Sequence, residues 1–331
     1  MLMFIMNFLE HPGRIVQCLI KNIEIRKIAH KMLEYQGGLP YVSERIKPVY
    51  FIGRYGSIAF KLGGFYMIEA LREAGIKAYP GYRCSLKNIY NSIVVIVKDI
   101  YEKVDMLTLK KNGNKIILDI HDNYSDIIEG ANNYIDLADY ILFPNHALLE
   151  KISQIKGKIP SYAIMYGYPD PAISSLFIEK GYRTFEEIRC CYFGYIRNVD
   201  MEIIELLKKE VSVTIVPATL KNIDKLINFN MHIDIRKNEE DTAYKPLTKI
   251  LIAAECNANI LIEKTPRVLE LLPPDYPFFI SASDKENDIK RIKLLFNTEK
   301  WSYGLSIMEN IRKKYSFRNH IISFIKILEE L

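Results

Sequence analysis

Short apolar runs alternate with helix-patterned segments along most of this 331-residue chain, and this alternation constrains the fold more than any other feature. The runs at 93–97 and 140–143 consist almost entirely of aliphatic or aromatic residues, as strands buried on both faces do. Buried strands that alternate with helices are typical of parallel sheets. The sequence therefore predicts an α/β fold.

The alternation is interrupted once, near the middle of the chain, by the sequence Tyr168-Pro169-Asp170-Pro171. Two prolines so close together remove backbone donors and restrict their neighbours. We predict a Rossmann-like first domain with an extra N-terminal helix (1–168), a linker (169–184), a second Rossmann-like domain (185–315) and a terminal helix that crosses back (316–331). The two domains are expected to face each other across a cleft, where open α/β sheets bind ligands.

The composition excludes several classes of protein. Hydrophobic residues make up 49% and charged residues 26% of the chain, which is typical of a globular protein. The formal net charge is only +5 and there is no arginine-rich block, so we expect no nucleic-acid partner. Five cysteines fit neither a disulfide framework nor a zinc site, and this indicates a reducing, cytoplasmic location.

The N-terminal region leaves one question open. Its first nine residues are apolar but lack a basic segment and a cleavage site, so we expect no signal peptide. Residues 14–34 have the spacing of an amphipathic helix with basic residues between the apolar ones. This helix is predicted either to pack on the first domain or to contact anionic lipid at the inner face of a membrane.

One segment of the second half has the chemistry of a phosphate site. Pro246 marks the start of a helix, since proline is well tolerated at the first helical position. The exposed N–H groups of a helix N-terminus bind phosphate. Lys245, Thr248 and Lys249 add two ammonium groups and a hydroxyl. We predict that these four residues hold a diphosphate; an ordinary helix start with solvated lysines is the alternative.

Polar residues directly after a buried strand are candidates for acid–base chemistry. His121 and Asp122 follow the apolar run at 115–120. Either one, or the two as a pair, is positioned to deprotonate a hydroxyl group at the cleft. Capping of the next helix by Asp122 and a local hydrogen bond from His121 are the alternatives. We expect Asp119 to alternate to the other face of the strand.

Residues 244–272 resemble the donor-binding half of GT-B glycosyltransferases, in which a helix leads through small residues into a short apolar strand. Glu270, Leu271 and Leu272 match the glutamate-leucine-leucine segment of those enzymes. The resemblance covers about 190–283 well and the first half in outline. It implies two facing Rossmann-like domains, a nucleotide-sugar donor that Glu270 helps to bind, and neither a metal nor another cofactor.

The resemblance also implies roles for glycines and an arginine. Gly194 and Arg197 follow the strand that corresponds to the first strand of a donor domain, where a glycine and a basic residue face the donor phosphates. Arg197 as a surface charge is the alternative. Gly63 and Gly64 are similar to the glycine-rich first loop of the acceptor domain, although glycine pairs also simply form turns.

The stereochemistry and the exact activity stay open. Retaining GT-B families often carry two glutamates eight positions apart, but the corresponding residues here are Tyr244 and Ile252, and Glu255 lies three positions later. We therefore favour inversion. The predicted activity is sugar transfer to a glycan, a lipid-linked molecule or another cell-surface polysaccharide. The alternatives are a sugar-nucleotide epimerase of the same fold and a non-catalytic nucleotide-sugar-binding or assembly protein.

Overall fold

The structure, a computed structural model, describes residues 12–42, 46–54, 57–81, 83–98, 106–121, 134–236, 243–281 and 284–331. Of residues 12–21, 83–85 and 220–221 it describes the backbone alone. All the statements below refer to these described parts of the chain.

The first half of the chain forms a six-stranded parallel sheet with the strand order β2-β1-β3-β4-β5-β6. Its central strands are rich in Val, Ile, Leu and Phe, which suits burial on both faces by helices. The strands are β1 Val49–Ile52, β2 Ala78–Pro80, β3 Ile93–Val97, β4 Lys115–Asp119, β5 Tyr140–Phe143 and β6 Ser161–Ile164.

The second half forms a five-stranded parallel sheet with the order β11-β10-β9-β7-β8. The order reverses between β7 and β9, and such a switch point opens a crevice at the carboxyl ends of the strands. The strands are β7 Arg189–Phe193, β8 Ser212–Val216, β9 Met231–Asp234, β10 Asn259–Glu263 and β11 Phe279–Ile280.

Helices cover both sheets, and polar side chains define where many of them begin. Asn145, Asp170, Asp200, Thr298 and Ser316 each accept a backbone N–H bond at the start of a helix. The α-helices longer than three residues are Pro12–Tyr35, Met67–Glu73, Met106–Lys111, Tyr134–Leu137, His146–Lys156, Pro171–Lys180, Met201–Glu210, Thr248–Glu255, Lys285–Leu295, Glu299–Lys314 and Phe317–Glu330.

Each sheet has its own apolar core, and the last helix joins the core of the first half. The apolar face of Phe317–Glu330 packs with Phe51 and Val95 of the first sheet, where the rings of Phe51 and Phe324 lie 6.0 Å apart. Arg318 donates from its backbone N–H to the side chain of Gln36, which directly follows the N-terminal helix. The chain thus crosses between the two halves twice.

The described side chains of the N-terminal helix favour packing over lipid contact. Ile25 and Leu33 are buried in the core of the first half. Two of the basic residues pair with acids on neighbouring helices: Arg26 with Glu69, and Lys31 with Glu179. No described helix combines the length and the apolar character that crossing a bilayer requires.

Two elements differ from the predictions, and the helix that the sequence pattern predicts over 101–109 is described only in part. The proline-containing linker includes a helix, Pro171–Lys180, because Asp170 caps it and Pro171 occupies a position where proline needs no N–H donor. The edge strand Ala78–Pro80 is too short for its pattern to predict it. Helical structure predicted from 101 is described only from Met106 onward, since 101–105 lie outside the described residues.

A candidate active site in the cleft between the two sheets

A cleft that is open to solvent, with a cavity volume of about 70 Å³, lies between the two halves. One wall is formed by the carboxyl ends of the first sheet, including Asp119 and Leu142, and by His121 just beyond β4. Pro246 and Thr248 of the second half line the other wall. A pocket where strand ends and a helix N-terminus meet is the usual place for a ligand in this class of fold.

Asp119 and His121 form a pair in the first wall. The Asp119 Oδ2 atom lies 3.2 Å from His121 Nε2, and both side chains keep about a fifth of their surface exposed. The prediction for Asp119 was wrong, because residues two apart in an extended segment lie on the same side. Asp122 lies outside the described residues, so its predicted role stays a prediction.

Gly63 brings a helix backbone close to this pair. It lies in a π-helical turn, Lys61–Tyr66, and π-helical turns often occur at functional sites. A Cβ atom at Gly63 would lie 2.9 Å from Asp119 Oδ2, so any larger residue would displace the carboxylate. Gly63 lines the cleft, whereas the space beside Gly64 is filled by the Phe60 ring.

The predicted phosphate helix points its N-terminus at the cleft. The helix begins at Thr248, two residues after Pro246, because the carbonyl of Leu247 is the first acceptor of its ladder. No side chain caps this N-terminus among the described residues. The first N–H groups and the positive end of the helix dipole are therefore presented to whatever occupies the cleft.

Three cations surround one carboxylate below this helix tip. Arg236 Nε lies 2.9 Å and Lys249 Nζ 3.2 Å from Asp234 Oδ1, at the end of β9. Lys249 Nζ also lies 3.7 Å from the centroid of the Tyr192 ring. The buried Arg267 interacts electrostatically with the same carboxylate. The group carries a net charge of +2 when all four side chains are ionised.

The pKa values in this cation cluster (Asp234, Arg236, Lys249 and Arg267) follow from burial and charge. Burial lowers the pKa of Lys249 to about 8, although Asp234 opposes the shift. Burial alone raises the pKa of Asp234, but the charges of Lys249 and Arg236 outweigh it and hold the pKa well below its usual range. Lys249 Nζ has the Asp234 carboxylate as its ion-pair partner, whereas Arg267 Nε makes no hydrogen bond to any described residue.

The other predicted donor residues occupy different positions. Lys249 is largely buried, so it supports the helix tip from below instead of lying on its surface. Lys245 is half-buried, and its backbone carbonyl is hydrogen-bonded from both halves. Gly194 packs against the Tyr192 ring, while Arg197 is exposed with its guanidinium 5.6 Å from the Tyr195 ring centroid.

Glu270 lies where the two halves meet. Its two carboxylate oxygens lie 3.2 and 3.0 Å from the backbone nitrogen of His146, which belongs to the first half. Burial raises the pKa of the nearby Tyr166 phenol, and the charge of Glu270 and a hydrogen bond to it add to the shift. Glu270 thus borders the cleft through a contact that the sequence pattern does not reveal.

Glu255 does not take part in the cleft. It is buried at the far end of its helix, and its carboxyl group is hydrogen-bonded to Ser174 of the linker helix. Burial raises the pKa of this carboxyl group. Glu255 therefore occupies a structural position between the second sheet and the linker.

His320 was missed by the sequence reasoning. The last helix places it in the cleft wall, where its ring centroid lies 4.6 Å from that of Tyr168. Burial lowers its pKa to about 4, although the charge of Asp119 and a hydrogen bond with the Gly167 backbone act in the opposite direction. Only the return of the chain to the first half brings His320 near Asp119, so no local pattern predicts it.

Comparison with solved structures identifies the architecture. HepE from Anabaena in complex with UDP superposes with a TM-score of 0.58 over 86% of this chain and 100% of its own, at 10% identity. The α,α-trehalose-phosphate synthase (UDP-forming) from Burkholderia vietnamiensis gives the same TM-score and coverage at 9% identity. This chain has the GT-B fold. The predicted resemblance and fold class are confirmed.

Sequence comparison adds nothing to this likeness. No protein-family model matches the chain, and no curated protein matches it in sequence. A second structure of HepE, in complex with UDP and glucose, aligns at 11% identity with the same TM-score of 0.58. At such identities the likeness shows the fold, and the activity has to be argued from the site.

Proposed function

We propose that this protein is a glycosyltransferase that transfers a sugar from a nucleoside diphosphate to an acceptor hydroxyl group. The observation that carries the proposal is an uncapped helix N-terminus above buried cations, facing an Asp–His pair across a cleft. The first element suits an anionic leaving group and the second suits proton removal. A transfer reaction needs both.

The donor side supplies positive potential where the leaving group forms. The N–H groups at Thr248 and the buried charges of Lys249 and Arg267 lie next to one another, and neither cation has a full set of partners in the described chain. Both cations lie beneath the surface of the cleft, so they act on a bound diphosphate through the positive potential that they add at the helix tip. Fixed donors in a partly buried site stabilise developing negative charge without reorganisation, which is the main need of this reaction.

The acceptor side supplies a base with a defined tautomer. When His121 donates its Nε2 proton to Asp119, its Nδ1 atom is left without a proton and accepts one. The acceptor oxygen then attacks the anomeric carbon, its proton passes to Nδ1, and the bond to the diphosphate oxygen breaks. Attack from the side opposite the helix tip inverts the anomeric centre.

The proposal also covers the nucleotide, the acceptor and the location of the reaction. Two GT-B neighbours involve UDP, HepE as a complex with UDP and the trehalose-phosphate synthase as a UDP-forming enzyme, so UDP is the first nucleotide to test. A glycan, a lipid-linked molecule or another cell-surface polysaccharide is the proposed acceptor. We place the reaction in the cytoplasm, without a bound metal.

The test is a thermal-shift screen with UDP, GDP, ADP, CMP and UDP-glucose. A ligand at 100 times its dissociation constant stabilises the folded state by about 2.7 kcal/mol. Replacing Lys249 by Met removes one of the buried charges. The dissociation constant of the nucleotide should increase at least tenfold, and the thermal shift should become correspondingly smaller. The matched control is Lys208→Met, since Lys208 is exposed and pairs with Glu205 on its own helix.

Product analysis separates the rival activities. Release of free nucleoside diphosphate supports transfer, whereas interconversion of two nucleotide-sugars without release supports an epimerase. Tight binding with neither product supports a binding protein. If no nucleotide stabilises the protein, or if Lys249→Met binds as the wild type does, the proposed donor site is wrong.

A further inference from the structure

Asn145 is a fully buried side chain that belongs to both halves of the site. It follows β5 and caps the helix His146–Lys156, because its Oδ1 atom accepts from the backbone N–H of Leu148 at 2.8 Å. This half of the amide serves the first domain alone, as helix caps do.

The other half of the amide crosses the cleft. Asn145 Nδ2 donates to the backbone carbonyl of Lys245 at 3.0 Å. The same carbonyl accepts from Arg267 Nη1, also at 3.0 Å, so it has one donor from each half of the protein. Lys245 directly precedes Pro246 and the uncapped helix tip. The position of this carbonyl therefore sets the position of the tip.

Asn145 is close to the base in the architecture of the sheet. β4 and β5 are neighbours, with Asp119 paired to Leu142 in the parallel register. His121 and Asn145 follow these two strands at the same edge, and adjacent strands lie ~4.8 Å apart. The bond from Asn145 to the Lys245 carbonyl therefore connects the helix tip to a position about one strand spacing away from His121.

A second contact supports the same geometry. Both carboxylate oxygens of Glu270 approach the backbone nitrogen of His146, the first residue of the helix that Asn145 caps. The N-terminus of this helix therefore meets the second half at two points, the Lys245 carbonyl and the Glu270 carboxylate. Such fixed contacts between domains pre-organise the groups that react.

We infer that Asn145 is a positioning residue, which holds the donor-binding turn of the second domain in register with His121 through its bond to the Lys245 carbonyl. The inference rests on the proposed function and adds a residue that acts on neither substrate directly. Its effect is on the alignment of the two bound substrates, because its own contacts are to backbone atoms.

The test uses two variants that retain the cap. Asp and Ser cap helices as well as Asn does, so Asn145→Asp and Asn145→Ser keep the bond to Leu148 but lose the bond to Lys245. A matched control is Thr298→Ala. It removes the cap of the helix Glu299–Lys314, because the bond from the Trp301 backbone N–H is lost, and this helix contributes no residue to the cleft lining. UDP affinity, release of UDP from UDP-glucose in water, thermal stability and small-angle scattering are measured for each.

We expect both Asn145 variants to bind UDP with an affinity within about threefold of the wild type. Their turnover, measured as the formation of UDP from UDP-glucose, should be roughly 10- to 100-fold slower, since misplacement by about 1 Å costs that much. Their radius of gyration should increase, while Thr298→Ala should lose stability alone. Unchanged turnover in both variants would overturn the inference. Loss of affinity, turnover and stability in equal proportion would also overturn it. Absence of nucleotide binding by the wild type would contradict the proposed function itself.

Discussion

The carboxylate of Asp119 and the imidazole of His121 lie 3.2 Å apart, at the point where β4 opens into the cleft. The contact uses Nε2 of the ring, so it orients the imidazole and selects the tautomer with Nδ1 as the acceptor of a proton. A histidine held in this way by a carboxylate is a common arrangement for a general base. The pair thus defines the acceptor side of the proposed site.

Replacing Asp119 by Asn should lower turnover strongly. The amide has nearly the same shape, but it cannot stabilise the charge that develops on His121, and it no longer fixes the tautomer. We expect nucleotide-sugar turnover to fall by roughly 10²- to 10⁴-fold, the usual range for general base catalysis, with unchanged UDP affinity. Release of UDP measures the first quantity and calorimetry the second.

Asp136→Asn provides the control, since Asp136 is exposed on the short helix Tyr134–Leu137. It makes the same chemical change at a residue that does not line the cleft. Turnover by Asp119→Asn equal to that of this control would exclude the Asp119–His121 pair as the base.

Gly63→Ala should disturb the Asp119–His121 pair through a steric clash alone. The added Cβ atom would lie 2.9 Å from Asp119 Oδ2 and 3.0 Å from Val97 Cγ1, closer than such atoms normally approach. The carboxylate must move away from His121, so turnover should fall at least tenfold. Gly157→Ala is a useful comparison, because the site beside Gly157 is open and its positive φ of 75° affects stability alone. Wild-type turnover in Gly63→Ala would show that this approach is unimportant.

The strand pattern could be predicted because the relevant signal is local. The runs Ile93–Val97 and Tyr140–Phe143 have the predicted bounds, since continuous β-branched and aromatic sequence leaves little choice of structure. The helix Pro171–Lys180 was not predicted, because two prolines suggest a break and only the Asp170 cap reveals a start. Continuous apolar runs therefore predict strands well, whereas a helix whose start depends on one capping side chain is harder to recognise.

The position of the helix tip at the cleft follows from a local motif, whereas the positions of its partners depend on the fold. The roles assigned to these residues stay predictions. Pro246 and Thr248 line the cleft, as the motif indicated. Arg236 belongs to no motif, and Arg267 has no assigned role within the segment 244–272. They join Lys249 around Asp234 because β9 and the loop after β10 end at the same edge of the sheet. Such pairs of distant residues cannot be recognised in a single sequence.

Nucleotide affinity should depend on pH through Lys249. Burial lowers the pKa of this ammonium group to about 8 in the free protein, so its charge is lost as the pH rises through 8. A bound diphosphate favours the charged form. We therefore expect the dissociation constant of UDP to increase between about pH 7.5 and 9, as measured by calorimetry. In Lys249→Met the affinity should be lower throughout, without this dependence. An identical pH profile in the variant would contradict the assignment.

Acid should destabilise the protein through His232. This residue is buried in β9, and burial lowers its pKa from 6.5 to about 3, with the charge of Lys249 acting in the same direction. Between these two values the unfolded chain binds a proton that the folded chain does not, so stability falls as the pH falls from 6.5 to 3. The expected loss at pH 3 is on the order of 4 kcal/mol, at 1.36 kcal/mol for each pKa unit.

Comparison with His232→Gln isolates this contribution, because Gln is similar in size and does not titrate. Urea unfolding of the two proteins at pH 7, 5 and 4 gives the free energy of unfolding at each pH. The variant should lose less stability than the wild type over this range, and the difference should grow as the pH falls. If the two pH dependences are parallel, His232 gains a proton in the folded state as readily as in the unfolded chain, and burial does not lower its pKa.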